Sequence, residues 1–185
     1  MSFNLQPTLR GQLVSLRPLH AADWDALFAV ACDPLIWEQH PASNRYQESV
    51  FREFFRDAMA SGGAFLVHDV ATAQVIGSSR YFGYDADRGD VEVGWTFLAR
   101  SHWGGRYNRE MKRLMLDHAF ASVQSVIFLV GPDNRRSQIA VERIGGVREG
   151  VRRNSSGGES VVFRITRDMW MARQAEEAAV DRLAP

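Results

Sequence analysis

The stretch that decides the fold is residues 92–108, which reads EVGWTFLARSHWGGRYN. Its first part belongs to a strand-like run over Asp90–Leu98. A turn with two glycines follows, and apolar residues then recur at three- and four-residue spacing through residues 107–123, which predicts a long helix. A strand, a glycine turn and a helix start together favour an anion site, because the first helical turn has unpaired N–H groups and glycine lets the backbone approach a phosphate.

Positive charge surrounds this turn, although the chain as a whole is neutral. The 185 residues contain 22 basic and 22 acidic side chains, so no long-range field holds the protein on nucleic acid or on an anionic membrane. Arg100, Arg106 and Arg109 bracket the turn and supply local charge for an anion such as a pyrophosphate. The glycines alone are equally compatible with a simple tight turn.

Composition places the chain among globular proteins. With 45% hydrophobic and 24% charged residues, it can bury a sizeable core. A single cysteine, Cys32, excludes an internal disulfide and a CxxC metal framework, and it fits a reducing cytoplasm. No stretch approaches the roughly 18 apolar residues of a membrane span. We therefore expect a cytoplasmic protein with no metal, no membrane and no nucleic-acid partner.

The rest of the pattern predicts one mixed α/β domain over residues 1–185, because no linker, repeat or low-complexity tract divides it. The predicted elements are a strand at 12–19, a broken helical region at 21–39, a helix at 46–59, strands at 64–70, 74–84 and 90–98, the long helix at 107–123, a strand at 125–130, a short helix at 135–144, a hairpin at 150–166 that turns at 154–158, and a terminal helix from Asp168.

Three separated motifs resemble one known superfamily. They are EVGWTFL at residues 92–98, HWGGRYNREM at 102–111 and NRRSQIAVERIG at 134–145, and they look like the acetyl-CoA-binding core of the GNAT superfamily of N-acetyltransferases. The chain is most similar to the RimJ/RimL-type branch, the ribosomal-protein N-terminal acetyltransferases. Neither a Walker loop nor a Rossmann fingerprint, the other common phosphate-binding strings, occurs.

The resemblance implies the GNAT acyl-CoA N-acyltransferase fold, of α/β (α+β) class. That fold has a central, twisted, mostly antiparallel sheet of about seven strands, splayed between strands 4 and 5, with helices on both faces. The resemblance also implies transfer of an acetyl group from acetyl-CoA to a primary amine by direct attack in a ternary complex. A protein N-terminus, an amino acid and a small amine all stay open as acceptor, and a homodimer is open because relatives are often dimers.

The resemblance assigns a set of residues to the cofactor. In the family's turn pattern, Q/R-x-x-G-x-G/A, Gly104 matches the first glycine, but Ser101 stands at the Q/R position and Arg106 at the second glycine. Pantetheine is expected between the splayed strands, beside the backbone at the end of the fourth strand. The expected cofactor-binding residues are Phe97, Leu98, Trp103, Gly104, Gly105, Arg106, Tyr107, Asn108, Asn134, Ser137 and Arg143.

Several of these residues also have a purely structural interpretation. Phe97 fits core packing, Asn134 fits a helix cap, and Arg143 fits a solvated helix face. The resemblance adds a contact with pantetheine for Asn134, and for Arg143 it adds a position near the adenosine phosphate. Both interpretations stay open for each residue.

Glu92 and Ser137 are the expected catalytic residues. Amine acetylation needs a base for the ammonium proton, donors that polarise the thioester carbonyl, and a proton for the leaving thiolate. Desolvation beside an apolar groove would raise the pKa of Glu92 and make it that base, and a strand carboxylate paired with an arginine such as Arg80 is an equal alternative. Many relatives place a tyrosine acid where this chain has Val141, so the resemblance assigns the acid to Ser137.

Trp37 and His40 are the residues expected to line the acceptor groove, because a Pro-interrupted segment often forms the mouth of a site. The missing tyrosine leaves a second function class open, a non-catalytic acyl-CoA sensor or scaffold with the same fold. Acetyl-CoA would stabilise the folded state in either case. Only an enzyme would release the CoA thiol when an amine is added.

Overall fold

The computed structural model describes residues 3–153 and 158–183. Within this part of the chain, one eight-stranded sheet carries helices on both faces. The strands are β1 (Leu9–Arg10), β2 (Val14–Pro18), β3 (Ala64–Asp69), β4 (Val75–Asp85), β5 (Asp90–Leu98), β6 (Ser125–Val130), β7 (Val147–Arg153) and β8 (Glu159–Thr166). The helices are α1 (Trp24–Ala31), α2 (Glu48–Ala60), α3 (Arg106–Phe120), α4 (Arg135–Arg143) and α5 (Arg167–Leu183).

The predicted element order is confirmed, and most bounds differ by one or two residues. The strand count is one higher than the predicted seven, because the two-residue β1 is too short to leave an alternating pattern. The hairpin begins at Val147 instead of residue 150, since its first strand is exposed on both faces and shows no alternation. Most of the predicted hairpin turn, residues 154–157, lies outside the described residues.

Strand order in the sheet is β1-β2-β3-β4-β5-β6-β8-β7. The contact between β5 and β6 is parallel, with α3 as the crossover, and the other described pairs are antiparallel. β5 and β6 pair only where residues 90–92 face residues 125–127. Beyond Glu92 the two strands diverge, which confirms the predicted splay.

A bulge in β5 accompanies the divergence. Two residues of β5, Trp95 and Thr96, stand opposite a single residue of β4, Ser79. Trp95 has a φ of +50°, a conformation that costs a non-glycine residue about 1 kcal/mol or more. Because a bulge bends its strand and increases the local twist, the second half of β5 turns away from its earlier pairing direction.

Two apolar clusters fix the sheet from its two faces. The larger cluster packs α3 and α5 against the sheet and includes Met111, Met115 and Trp170. The smaller cluster packs α1 and α2 against the other face and includes Phe51 and Phe97. Full burial of each large side chain is worth about 2 kcal/mol, so both clusters hold the diverging strands on a rigid support. In the described part of the chain, no helix has the length and apolarity that crossing a membrane requires.

Candidate functional site

The glycine turn lies between the end of β5 and the start of α3. Gly104 and Gly105 have φ values of +100° and +101°, where an L side chain would be strained. A Cβ added to either residue would meet nothing within 4 Å. Backbone conformation therefore requires glycine here, and the space above both residues is open to a ligand.

The N-terminus of α3 presents unpaired donors beside these glycines. Gly105 is the N-cap, and it has no side chain with which to cap the helix. The N–H of Arg109 donates to the Gly105 carbonyl at 2.8 Å, so the N–H groups of residues 106–108 precede the helical ladder and have no acceptor in it. The side chains of Arg106 and Arg109 are exposed. This end of α3 therefore suits an anion.

Residues on both sides of the glycine turn bind the carboxylate of Asp69, at the end of β3. His102 Nε2 lies 3.1 Å from Asp69 Oδ2, and the Tyr107 hydroxyl donates to the same oxygen at 3.2 Å. The hydrogen bond from His102 is the largest reason why the pKa of the Asp69 carboxyl lies below its usual value. The carboxylate thus anchors both ends of the turn to the sheet.

Trp103 closes the turn against β5 and α4. Its indole N–H donates to the Leu98 carbonyl at 2.9 Å, and the guanidinium carbon of Arg136 lies 4.0 Å from the centre of its ring. A backbone carbonyl expected to bind pantetheine therefore already has a protein partner. Phe97 is 5% exposed and packs in the smaller cluster, as the core-packing interpretation predicts.

α4 begins directly after the loop that follows β6. The buried Asn134 accepts the Ser137 N–H through its side-chain oxygen at 3.1 Å, so the predicted cap is confirmed. The Ser137 side chain is half-buried, and its hydroxyl makes no hydrogen bond to the residues that the structure describes. Arg143, at the other end of α4, is exposed, and its carbonyl accepts a hydrogen bond from Arg173.

Glu92 is the last residue of β5 that pairs with β6. Its side chain is half-buried, and burial raises its pKa to about 7 against the opposing charges of Arg152 and Arg80. No ion pair or hydrogen bond joins Glu92 to Arg80 in the described part of the chain, and Nε and one terminal nitrogen of that guanidinium are buried without a hydrogen-bond partner. The contact between the two residues is therefore electrostatic only, and it lowers the pKa of Glu92 less than burial raises it. A carboxyl group with a pKa of about 7 is suited to act as a general base near neutral pH.

The two residues expected to line the acceptor groove differ in exposure. Trp37 is 2% exposed, its indole N–H donates to the Ala31 carbonyl at 2.7 Å, and its ring centre lies 5.0 Å from that of Phe97. The structure therefore places Trp37 inside the smaller cluster. His40 is half-buried, and burial together with the charge of Arg45 lowers its pKa to about 4, so its imidazole is neutral at pH 7.

A lysine that the sequence analysis did not single out lies beneath the diverging strands. Lys112 in α3 is the only lysine of the 185 residues, and it is 5% exposed. Its Nζ donates to Thr96 Oγ1 at 2.5 Å and to Ser79 Oγ at 3.2 Å, and it lies 5.8 Å from the centre of the Phe128 ring on β6. Burial lowers its pKa to about 7. The sequence signal was its position within the apolar stripe, four residues before the buried Leu116.

A cavity of about 610 Å³ adjoins the residues that precede the glycine turn. It lies between the end of α1, the start of β4 and residues 99–102, with Asp33 and Ile36 also in its wall. Arg100, another lining residue, is ion-paired with Asp33 and so is less free to meet an anion than Arg106. Neither Glu92 nor Ser137 lines this cavity. The cavity therefore borders the residues before the glycine turn and not the carboxyl group of Glu92.

Comparisons with known proteins identify the family. A family model described as an acetyltransferase (GNAT) domain matches residues 14–147. The protein named "Uncharacterized N-acetyltransferase p20" from Bacillus licheniformis is 25% identical over 154 residues, which are 80% of this chain and 86% of that protein.

Two solved structures illustrate the likeness in fold. A GCN5-related N-acetyltransferase from Brucella melitensis has a TM-score of 0.78 at 23% identity, covering 94% of this chain and 85% of that chain. RimJ from Mycobacterium smegmatis, solved in complex with CoA-disulfide, has a TM-score of 0.66 at 17% identity, covering 91% of this chain and 93% of that chain. Because the family match spans the glycine turn, the splayed strands and the cap of α4, the chain belongs to the GNAT family of acetyltransferases.

Proposed function

We propose that this protein transfers an acetyl group from acetyl-CoA to a primary amine by direct attack in a ternary complex. The observation that carries the proposal is the half-buried carboxyl group of Glu92, whose pKa of about 7 is found where β5 and β6 separate. A carboxylate with this pKa accepts a proton from an alkylammonium group at neutral pH when it lies within hydrogen-bond reach or one water away.

The residues around the glycine turn fit the diphosphate of CoA. Three N–H groups at residues 106–108 lie outside the helical ladder, and the space above Gly104 and Gly105 is open. We propose that this turn holds the diphosphate, with the exposed side chains of Arg106 and Arg109 beside it. When bound, acetyl-CoA supplies an activated thioester as the acyl donor.

The diverging strands provide the path for the pantetheine arm. Beyond Glu92 the edge of β5 that faces β6 has no ladder partner in that strand, so backbone groups in the second half of β5 are available to the arm and to the thioester carbonyl. We propose that Phe97 and Leu98 contribute through backbone groups other than the Leu98 carbonyl, which already accepts the Trp103 indole N–H. Asn134 and Ser137 would contact the arm from the start of α4.

In this reaction Glu92 takes the ammonium proton, and the neutral amine then attacks the carbonyl carbon. Backbone N–H groups of β5 polarise the carbonyl oxygen as it gains negative charge. As the C–S bond breaks, the hydroxyl of Ser137, which has no hydrogen bond in the described part of the chain, donates a proton to the leaving thiolate and regains one from the nitrogen that becomes the amide. A thiol of ordinary pKa, about 8.5, needs only modest help to leave.

The RimJ/RimL-type branch is the subfamily that we propose for this chain. The likeness to RimJ from Mycobacterium smegmatis supports the fold of that branch. The Asn134 and Ser137 spacing at the start of α4 is the local feature that supports it. The acceptor amine is not fixed by branch membership.

The test is a panel of amines mixed with acetyl-CoA, with the released CoA thiol measured over time. We expect thiol release that depends on an amine and that falls as the pH drops below about 7, where Glu92 becomes protonated. A protein that acetyl-CoA stabilises against heat, but that releases no thiol with any peptide, amino acid or polyamine, would instead be an acyl-CoA sensor.

A further inference from the structure

A buried arginine on the α1 and α2 face of the sheet has donors that no protein group uses. Arg80 on β4 is 3% exposed, and its Nε and one terminal nitrogen are buried with no hydrogen-bond partner. Its guanidinium carbon lies 4.7 Å from the centre of the Trp95 ring and 5.5 Å from that of Phe54. Aromatic faces stabilise the positive charge, but they do not replace the in-plane hydrogen bonds of a guanidinium group.

A second arginine approaches the same aromatic ring. The guanidinium carbon of Arg45, in the segment before α2, lies 4.8 Å from the centre of Phe54 and 5.6 Å from that of Trp37. One of its nitrogens is 3.1 Å from Nε2 of His40, a neutral imidazole at pH 7. In the described part of the chain, neither Arg45 nor Arg80 forms an ion pair.

Neither of these two like charges has a carboxylate within ion-pair distance in the described part of the chain, and the negative charges of Asp57 and Glu92 act on Arg80 only from farther away. Burial lowers the pKa of both guanidinium groups to about 10, and the charge of Arg45 adds to the lowering at Arg80. Asp57 opposes the lowering at both, but it lies 3.8 Å from the exposed Arg56 and pairs with that side chain. Because an unpaired buried charge is unfavourable, the site is suited to a guest that brings a negative charge.

The neighbouring carboxyl group places this site next to the proposed chemistry. Arg80 pairs with Gly94 across β4 and β5, and Phe82 pairs with Glu92, so Arg80 and Glu92 are diagonal neighbours on one face. The backbone positions of such diagonal neighbours are about 7–8 Å apart, so long side chains on them can reach each other. Trp95, Glu92 and Arg45 are each only half-buried, so solvent reaches the residues around Arg80, whose own guanidinium group is buried.

We propose that the unpartnered donors of Arg80 bind a carboxylate of the acceptor, that the nearby charge of Arg45 favours this anion, and that the acceptor is a free amino acid. This inference rests on the proposed function, because it assigns the substrate of the same site. A carboxylate offers two coplanar oxygens that match the paired donors of a guanidinium group. An α-amino acid carries its amine on the carbon next to that carboxylate, so an acceptor bound at Arg80 could present its amine to the neighbouring Glu92. A polyamine or a protein N-terminus has no carboxylate at this position.

The experiment compares each α-amino acid with its carboxamide and with its decarboxylated amine as acceptors, at saturating acetyl-CoA. For at least one amino acid we expect kcat/KM to exceed that of its carboxamide by about 10- to 100-fold. Arg80→Gln should remove most of this preference through a higher KM for the amino acid, with the KM for acetyl-CoA unchanged. Arg56→Gln is the matched control, because Arg56 is an exposed arginine with surface ion pairs, and it should leave the preference intact.

Equal use of acid, carboxamide and amine by the unmodified protein would overturn the inference. An Arg80→Gln variant that loses activity equally on acid and carboxamide, with an unchanged melting temperature, would do the same. If Arg80→Gln does not fold, Arg80→Lys keeps the charge and loses the paired donors, so it should still reduce the preference.

A binding measurement separates this inference from the proposed catalysis. N-acetyl amino acids and their carboxamides are titrated calorimetrically into the protein with CoA present, and we expect binding of the acids alone. Carboxylate-selective binding without acetylation of any amine would contradict the proposed function and support the site. Acetylation of amines that carry no carboxylate, together with no selective binding, would support catalysis and overturn the site.

Discussion

The imidazole of His102 and the carboxylate of Asp69 meet at 3.1 Å between Nε2 and Oδ2. His102 lies two residues before Gly104, and Asp69 ends β3, a strand separated from β5 by β4. Tyr107 reaches the same carboxylate from the first turn of α3. The glycine turn is thereby held in shape by contacts outside itself, so a ligand need not order it on binding.

Replacing Asp69 with asparagine should weaken CoA binding several-fold and leave kcat at saturating acetyl-CoA unchanged. The amide would lack the negative charge that both His102 and Tyr107 contact. The measurement is the Kd for CoA by calorimetry, with the exposed Asp87→Asn as control. The pKa of Asp69 is lowered in the folded state, so its stabilisation is present at neutral pH and is lost as the pH falls through the folded-state pKa. An unchanged Kd would show that the contacts of Asp69 with His102 and Tyr107 do not support CoA binding at the glycine turn.

Gly104→Ala and Gly62→Ala form a matched pair that separates strain from ligand binding. Both glycines have positive φ, and an added Cβ would meet nothing within 4 Å at either position. Gly62→Ala should cost about 1 kcal/mol of stability, and Gly104→Ala at least as much, because a φ of +100° lies outside the left-handed region that an L residue adopts. Urea unfolding measures both costs. Only Gly104→Ala should raise the Kd for CoA, because its methyl group points into the proposed diphosphate site. Equal CoA affinity in the two variants would show that the turn is structural.

Glu92→Gln should lower kcat by about 10²- to 10⁴-fold, the usual contribution of a general base. In the unmodified protein, kcat/KM should fall as the pH drops below about 7, because a protonated Glu92 cannot accept the ammonium proton. In the variant, kcat/KM should not show this fall at acidic pH. Glu53→Gln, an exposed position on α2, is the control. If kcat/KM of Glu92→Gln still falls below about pH 7, another group is the base.

Ser137→Ala should slow turnover with little change in CoA affinity. The cap of α4 uses the N–H of Ser137 and the side chain of Asn134, so removing the hydroxyl leaves the cap in place. Asn134→Ala should instead cost about 1 kcal/mol of stability through loss of the cap. Single-turnover rates and melting temperatures are measured for both variants. An unchanged rate in Ser137→Ala would remove that hydroxyl from the mechanism.

Lys112→Met should change how stability depends on pH. The pKa of Lys112 is about 7 in the folded protein against an ordinary value of 10.5. Between these values the unfolded chain holds a proton that the folded chain lacks, so the stability of the unmodified protein should rise with pH over this window. The methionine variant should lack that contribution. Urea unfolding of both proteins at pH 7 and pH 9 measures the difference, and parallel changes in the two would contradict the assignment.

The scaffold of the site was predictable because its signals are local. The spacing of Met111 and Met115 gives α3 its buried face, the apolar run at Ser125–Val130 gives β6, and Asn134 caps the helix that it precedes. Each of these patterns is decided within one turn or one strand. Glycine at positions 104 and 105 was likewise an adequate signal for the turn.

The chemistry within the site depends on contacts between distant segments, and the sequence does not show them. The bulge at Trp95 exists only relative to the pairing of β4 with β5. The unpartnered guanidinium group of Arg80 depends on which rings of α2 and β5 cover it. For the same reason, the sequence alone does not decide whether Glu92 and Arg80 form an ion pair.

The burial of Lys112 beneath the diverging strands also affects how the protein reacts with acetyl-CoA in solution. All 22 basic side chains except Lys112 are arginines, and Lys112 is 5% exposed. Acetyl thioesters modify accessible neutral amines, whereas the guanidinium group keeps its charge at every physiological pH. The surface of this acetyltransferase therefore offers no lysine to spontaneous acylation, and its charge pattern should persist through long exposure to high concentrations of acetyl-CoA.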